Sequence, residues 1–460
     1  MSEIVHSIDT IAAIATPQAA GGLGVIRISG PDALLVASRV FSPVGEPPLT
    51  GSAGYRAYYG KVTDNETVLD EAVCLVFRAP RSYTGEDTAE LSLHGGLYLL
   101  RRALGAVFNA GARPAEPGEF TKRAFLNGRI GLSEAEAVMG LISAHGEQAA
   151  AAALNALEGS LSREINAVAK DIIAVSAQLA AWVDYPDEDI EDISAQTMKQ
   201  TFLRAKDALD ILLNSFDMGQ AVTQGVSAAI VGRPNVGKST LMNLLTGFDR
   251  SIVTPYAGTT RDAVEETVTL GNVALRLTDT AGLRETDDPV ERVGVELAMK
   301  KLQRASLVLA VFDGSDELTA DDIRLLEACK GKLTVAVINK TDLPGKLDTA
   351  PVAEAAAELV EMSAASGKGL DRLCAAVERA CGTDRFDPCA AMLTTERQRD
   401  CCKRAVRWLD EGIDALNNAV TLDAVSVCAD ACIEALFELT GEKASESVVN
   451  EVFARFCVGK

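Results

Sequence analysis

Gly232-Arg-Pro-Asn-Val-Gly-Lys-Ser239 decides the fold of the middle of this 460-residue chain. The octapeptide fits the spacing GxxxxGK[ST], follows the apolar run Ser227–Val231 and precedes a helical run at Thr240–Thr246. Strand, glycine-rich loop and helix in that order make a phosphate cradle, because the loop N–H groups and the helix N-terminus converge on one anion. The spacing predicts that Asn235, Val236, Gly237, Lys238, Ser239 and Thr240 surround a nucleotide's phosphates. Lys238 would reach the β and γ phosphates and Ser239 would hold Mg2+.

Further motifs follow. Asp279-Thr280-Ala281-Gly282 closes the strand pattern Ala274–Asp279 and offers a second Mg2+-linked carboxylate, then a glycine N–H for the γ-phosphate. Asn339-Lys340-Thr341-Asp342 ends the run Thr334–Asn339. A carboxylate at Asp342 can accept both N1–H and the exocyclic N–H of guanine, whereas adenine presents the opposite pattern. Ser363-Ala364-Ala365 adds a backbone donor for guanine O6. Four motifs in this order imply GTP. With Leu307–Asp313 they also show strands alternating with helical patterns, the signature of a parallel α/β sheet.

Hydrolysis needs its own reading. Many switch GTPases carry glutamine directly after the DxxG glycine to orient water; here Leu283 stands there. In Gly258-Thr259-Thr260-Arg261-Asp262, Thr260 is a candidate Mg2+ ligand. The loop before it, Thr254-Pro255-Tyr256-Ala257-Gly258, belongs to the same nucleotide contact set. Neutral oxygens of Asn235 and Thr259, with the backbone carbonyls of Thr254 and Tyr256, suit a monovalent cation. K+ there would bring the positive charge that an arginine finger supplies elsewhere. Glu291 admits two readings, a solvated loop carboxylate or the group that orients water.

Outside this region two textures remain. Residues 1–127 mix β-like runs, such as Gly24–Ser29 and Ala72–Phe77, with glycine-rich turns, an α+β pattern. From Leu132 the chain reads as helical. Leu154, Leu157, Leu161, Ile165, Val168, Ile172, Val175, Leu179 and Trp182 recur at steps of three and four, predicting one long amphipathic helix. The acidic stretch Asp184–Asp192, with Pro186, ends it, and a second helical run covers about Thr394–Phe456. The boundaries expected are 1–127, 128–222, 223–382 and 383–460, with the G domain inserted between two halves of a helical domain. Deleting residues 390–460 is therefore expected to unfold the 130–220 helices.

Composition excludes some classes. A net charge of −21 argues against a broad basic face for nucleic acid. The ten cysteines contain no CxxC pair and read as reduced thiols. No long apolar run and no basic-then-apolar N-terminus appear, so no membrane span and a cytoplasmic location are expected.

Several further stretches carry a family resemblance: Asp9–Pro17, Arg27-Ile-Ser-Gly30, Thr84-Gly-Glu-Asp87, His94-Gly-Gly96, Pro117-Gly-Glu-Phe120, Arg123–Asn127, Leu132–Glu136, Tyr185-Pro-Asp-Glu188 and the terminal Cys457-Val-Gly-Lys460. With the nucleotide motifs they make the whole chain resemble the MnmE (TrmE) family of tRNA modification GTPases. The resemblance implies a multidomain α/β and α architecture: an N-terminal α+β folate-binding-like domain, a discontinuous helical domain and an inserted P-loop Ras-like G domain. It implies K+-accelerated GTP hydrolysis, a homodimer through the N-terminal domains and a heterotetramer with the flavoprotein MnmG (GidA), which brings FAD and NADH. Together the partners would add a carboxymethylaminomethyl or aminomethyl group to carbon 5 of the wobble uridine of certain tRNAs. The one-carbon unit would come from 5-formyl- or methylene-tetrahydrofolate.

By the same resemblance Asn235, Thr254, Tyr256 and Thr259 fall at potassium positions and Ser239 and Thr260 at magnesium positions. Glu291 falls at the water-positioning carboxylate, so Glu291, Lys238 and Thr259 form the expected catalytic set. Arg27, Glu90, Arg129 and Lys460 fall at folate contacts, and Cys457 at the family's C-terminal cysteine. Three features depart from the pattern: Val458 in the tail, Gln18-Ala-Ala-Gly-Gly22 without its usual arginine, and Arg129 in place of lysine. A ribosome-assembly GTPase would share Leu283 and the nucleotide motifs but would not explain residues 1–127 or the tail. A slow regulatory switch would not need the potassium-loop residues.

Overall fold

Ala72, Cys74 and Val76 are buried while Val73 between them is exposed, the period-two pattern of a strand with one face on a core. That strand belongs to a computed structural model describing residues 9–45, 48–184, 194–248, 266–277, 305–418 and 420–460. The chain divides into two compact units, residues 1–139 with 433–460, and residues 140–432.

The first unit is built on β1 (Ile11–Ile14), β2 (Leu23–Ser29), β3 (Phe41–Pro43), β4 (Arg56–Asp64), β5 (Thr67–Phe77), β6 (Thr88–His94) and β7 (Arg113–Pro114), in the order β3-β4-β5-β6-β2-β1-β7. Neighbours are antiparallel except β1 and β7. Helices α1 (Ala33–Val40) and α2 (Leu97–Asn109) place Leu34, Ala37, Leu100, Ala103 and Val107 against Ile26, Ile28, Leu91 and Leu93. The opposite sheet face carries a smaller apolar cluster of Ile11, Ala13, Ala115 and Phe120 beside the polar residues Arg27 and Glu90. Helix α3 (Glu119–Leu126) follows, then α4 (Leu132–Ile142).

In the second unit come α5 (Glu147–Leu157), α6 (Ser160–Asp184), α7 (Ala195–Asn214) and α8 (Phe216–Thr223). The single helix predicted through Leu154–Trp182 is thus two helices, broken where Gly159 takes φ +81. A six-stranded sheet follows among the described residues, ordered β13-β12-β11-β8-β10-β9. Its elements are β8 (Val226–Val231), α9 (Lys238–Phe248), β9 (Glu266–Leu270), β10 (Val273–Leu277), β11 (Leu307–Asp313), α10 (Ala320–Cys329), β12 (Leu333–Asn339), α11 (Ala350–Ala355), β13 (Glu358–Glu361) and α12 (Leu370–Ala380). The expected parallel pairing holds for β10-β8, β8-β11, β11-β12 and β12-β13, but the edge strand β9 runs antiparallel to β10.

The second helical run resolves into α13 (Glu396–Asn417), α14 (Leu422–Thr440) and α15 (Glu446–Ala454). A capping box starts α13: Thr395 accepts from Gln398 N–H while Gln398 returns the bond. Helix α13 lies against α7. Its Gly412 meets Phe202, Lys206 pairs with Asp410, and the Cys402 thiol donates to Leu209 O. In the first unit α15 packs on α3, with Phe453 against Phe125 at 6.2 Å between centroids. Among the described residues no helix is long and apolar enough to cross a membrane.

Candidate functional site

The phosphate loop joins β8 to α9. Asn235 takes φ +64 and Gly237 φ +95. At Gly237 the reason for glycine is spatial as well as conformational, since a Cβ there would lie 2.2 Å from Asn339 Nδ2. Lys238, the first residue of α9, donates from Nζ to Arg233 O at 2.7 Å, and burial pulls its ammonium below the usual lysine range. An ammonium partly withdrawn from water and facing a carbonyl is a place where an anion gains much. The charge of Arg233 is taken up elsewhere, by Asp316 at 2.8 Å and Asp322 at 3.4 Å. Lys238 is therefore the loop cation left for a phosphate, and Ser239 and Thr240 stand beside it in the first turn of α9. These features fit a nucleotide triphosphate.

The base-reading residues are tied to that loop. Asn339, at the end of β12 and 3% exposed, donates from Nδ2 to Val236 O at 2.8 Å and accepts at Oδ1 from Ala364 N–H at 2.8 Å. One side chain thus sets the distance between the phosphate loop and the Ser363-Ala364-Ala365 loop. Lys340, at φ +64, pairs with Asp313 at 2.6 Å. Burial pushes the Asp313 carboxyl up, but hydrogen bonds from Lys340 and Ser315 outweigh it and leave the group below its ordinary value. Asp342 is exposed, and the Ser363 hydroxyl beside it, then backbone N–H, hold its carboxyl low. It is an anion available to guanine N–H donors.

The remaining nucleotide residues read from the sequence lie outside the described residues: Thr254, Pro255, Tyr256, Ala257, Gly258, Thr259, Thr260, Asp279, Thr280, Ala281, Gly282 and Glu291. So does the Tyr185–Glu188 segment.

A second polar cluster occupies the first unit. Arg27 on β2 and Glu90 on β6 are direct partners in register and point away from the core, with Arg27 Nε donating to Glu90 Oε1 at 2.8 Å. The Arg27 guanidinium lies over the Tyr83 and Phe120 rings at 5.4 and 5.5 Å and donates from Nη1 to Gly459 O at 3.4 Å. The C-terminal tetrapeptide is stitched to the start of α3: Gly118 N–H donates to Cys457 O at 3.3 Å, and Phe120 N–H to Lys460 O at 3.2 Å. Burial, then repulsion from Arg27, lowers the Lys460 ammonium. Arg27, Glu90 and Lys460 are thus gathered from distant parts of the chain, and Cys457, three residues before Lys460, is half-buried. Arg129 is not joined to the cluster by any ion pair or side-chain hydrogen bond among the described residues; it is exposed just past the end of α3.

A family profile described as the MnmE helical domain matches residues 132–457, more than half of the chain, and one described as the GTP-binding protein TrmE N-terminus matches residues 10–129. A tRNA modification GTPase MnmE from Heliobacterium modesticaldum is 41% identical over 98% of this chain and 99% of its own length. The protein of that name from Bacillus licheniformis is 39% identical over 98% and 100%. The chain belongs to the MnmE family of tRNA modification GTPases. Among solved structures, a variant of Aquifex aeolicus Era bound to GDP and aluminium fluoride is 27% identical, covering 40% of this chain and 66% of that one with a TM-score of 0.25.

In this MnmE-family chain several residues that shape the sites escape a motif reading. Asn339 was legible as part of a base motif, but its bond to Val236 O joins residues far apart in sequence. Arg233 with Asp316 and Asp322, and Lys340 with Asp313, are likewise cross-loop pairs. Tyr83 and Phe120 become aromatic walls for Arg27 only once the sheet and α3 are in place.

Proposed function

We propose that this chain is a K+-activated GTPase working in tRNA modification, with Asn339 the single observation that carries the reading. A buried amide that holds the phosphate loop and the guanine loop at one spacing supports a single ligand spanning both. Lys238, Ser239 and the loop N–H groups would hold the phosphates, and Asp342 and the Ala364 loop would select guanine over adenine. Ser239 and Thr260 would hold Mg2+, and Asn235, Thr254, Tyr256 and Thr259 would hold K+. These ions supply positive charge to the phosphoryl oxygens. Glu291 would orient the attacking water.

The clustering of Arg27, Glu90 and Lys460 supports a tetrahydrofolate site in the N-terminal domain, residues 1–127, which would also form the homodimer. Guanidinium and ammonium groups suit a glutamate tail and a carboxylate suits pterin N–H groups. The folate would carry the one-carbon unit destined for carbon 5 of the wobble uridine, with redox chemistry from the FAD-dependent MnmG partner. The helical halves, 128–222 and 383–460, would transmit motion of the inserted G domain, 223–382.

The test is steady-state GTP hydrolysis of the full chain in K+ and in Na+ at equal ionic strength, with Glu291→Ala alongside. Strong K+ stimulation that vanishes in the variant is expected. Equal slow rates in both salts would refute the cation-loop mechanism and favour a slow regulatory switch.

A further inference from the structure

The phosphate loop leaves β8 at Val231, whose place is fixed by pairing with Ala310 on β11. Asn339 takes hold of the loop again at Val236 O. Between these two points lie Gly232-Arg233-Pro234-Asn235, and among the described residues Arg233 is the side chain that anchors them. Its guanidinium reaches the connection between β11 and α10. Nη2 donates to Asp316 Oδ2 at 2.8 Å, and Nε stands 3.4 Å from Asp322 Oδ2.

Both carboxylates are themselves held. Asp316 Oδ1 accepts from Glu317 N–H at 3.0 Å. Asp322 is buried, and its Oδ2 accepts from Thr319 N–H at 3.0 Å and from Thr319 Oγ1 at 2.7 Å, in the capping box that starts α10. Between the two aspartates, Leu318 packs on the core that contains Val231, Phe312 and Ile338. A buried carboxylate needs a cation close by, and among the described residues Arg233 is that cation for Asp322. The hold on Arg233 reaches its backbone because Pro234 follows. A residue before proline is confined to extended conformations, so the direction of its side chain and the direction of its carbonyl are coupled. Arg233 O is the atom on which the Lys238 ammonium rests at 2.7 Å.

We propose that Asp316 and Asp322 are positioning residues for phosphate binding: through Arg233 they fix the carbonyl that holds Lys238, and so place its ammonium before a β-phosphate arrives. The proposal rests on the GTPase reading above. A cation already in place loses less freedom when the anion binds, and that is how residues that never touch the nucleotide add to its affinity. Asn339 holds the far end of the same loop, so the two contacts fix different parts of it. Asn339 sets the spacing to the guanine loop, and the aspartates set the phosphate cation.

The test uses the full chain carrying Asp316→Asn and Asp322→Asn together. Each amide keeps one oxygen for its own loop, on Glu317 N–H and on Thr319, so the cap of α10 persists while the charges that grip Arg233 are lost. Affinities for GDP and GMP are measured by displacement of a fluorescent GDP, beside thermal melting. GDP is expected to weaken about tenfold, a fraction of what one charge-assisted contact contributes. GMP lacks the β-phosphate that Lys238 reaches and should bind as it does to the unsubstituted chain, and melting should change little. Arg233→Lys keeps the charge but loses the fork that meets both carboxylates, and should shift GDP in the same direction without moving GMP. It carries the test should the double variant fail to fold. Unchanged GDP affinity in both variants would overturn the proposal. So would tighter GDP binding, which would mean that the aspartates only neutralise Arg233. Equal losses for GDP and GMP would overturn it too, since they mark a structural role for the loop as a whole. Failure of the unsubstituted chain to bind GDP would instead overturn the GTPase reading and, with it, this inference.

Discussion

Replacing Asn339 by alanine tests whether a single amide organises the nucleotide site. The substitution removes the donor to Val236 O and the acceptor for Ala364 N–H, both at 2.8 Å. Val236 is 0% exposed and Ala364 is 4% exposed, so both groups lose their partner away from bulk solvent. Each stranded backbone group costs about 1–3 kcal/mol. Part of this is recovered when the loops relax apart, and that relaxation is what harms binding, because the phosphate loop and the guanine loop no longer stand at one fixed spacing. A net penalty of about 3 kcal/mol on the bound state corresponds to roughly a hundredfold loss of affinity. The assay is titration with a fluorescent GDP, beside a urea melt followed by Trp182 and Trp408, the chain's two tryptophans, which flank the G domain in sequence and report on helices outside it. The tryptophan melt should barely move while the GDP affinity collapses. Asn339→Asp should be as damaging, since it keeps an acceptor for Ala364 N–H but sets an oxygen against Val236 O. Binding by Asn339→Ala within threefold of the unsubstituted chain would show that the clamp does not organise the site, and the reasoning from it would fall.

Other expectations follow from the same contacts. The Glu119 carboxyl is raised by burial but held below its ordinary 4.5 by Arg113, the Glu116 N–H and Arg123. Its stabilisation is present above pH 4.5 and is lost as pH falls through the lowered folded-state value, because the unfolded chain then binds more protons. Glu119→Gln should therefore cost about 2 kcal/mol in urea at pH 7 and progressively less in acid, with circular dichroism as the readout. Burial pushes the Cys74, Cys402 and Cys432 thiols up to about 12, whereas Cys389 is exposed. At pH 8 roughly one in ten thousand of those buried thiols is ionised, so a thiol reagent should label Cys389 first and the buried three only on unfolding, as mass spectrometry would show. Gly412→Ala places a Cβ 2.7 Å from Phe202 Cε2. Overpacking costs about 1–3 kcal/mol and exceeds the ~1 kcal/mol gained in helix propensity, so the Trp408 fluorescence midpoint in urea should fall.

How much was legible depended on whether the signal was local. The phosphate loop was, because its demands on backbone and charge fall within eight consecutive residues, and the apolar runs before Asn339 and around Leu307 each state a strand by themselves. The break at Gly159 was not: Leu157 and Leu161 are one helical turn apart whether or not the chain bends between them, so periodicity carries straight across. The edge strand β9 was missed for a related reason. Glu266-Thr-Val-Thr-Leu270 alternates buried Val268 and Leu270 with threonines, a signal too short to stand out beside the longer apolar runs, and its pairing with β10 completes it as a strand. Yet its turn holds the Asn272 N–H that Glu378 takes up. The tail shows the limit most clearly. Helical periodicity near Phe453 says that a helix forms and nothing about where it docks, while the contacts that give it meaning reach Gly118, Phe120 and Arg27, more than three hundred residues earlier. A motif records what a ligand demands of neighbouring residues. The parts of these sites that escaped a motif reading, Asn339's clamp and the Arg27–Lys460 cluster, answer demands made by other parts of the same chain, and only the folded structure brings those parts together.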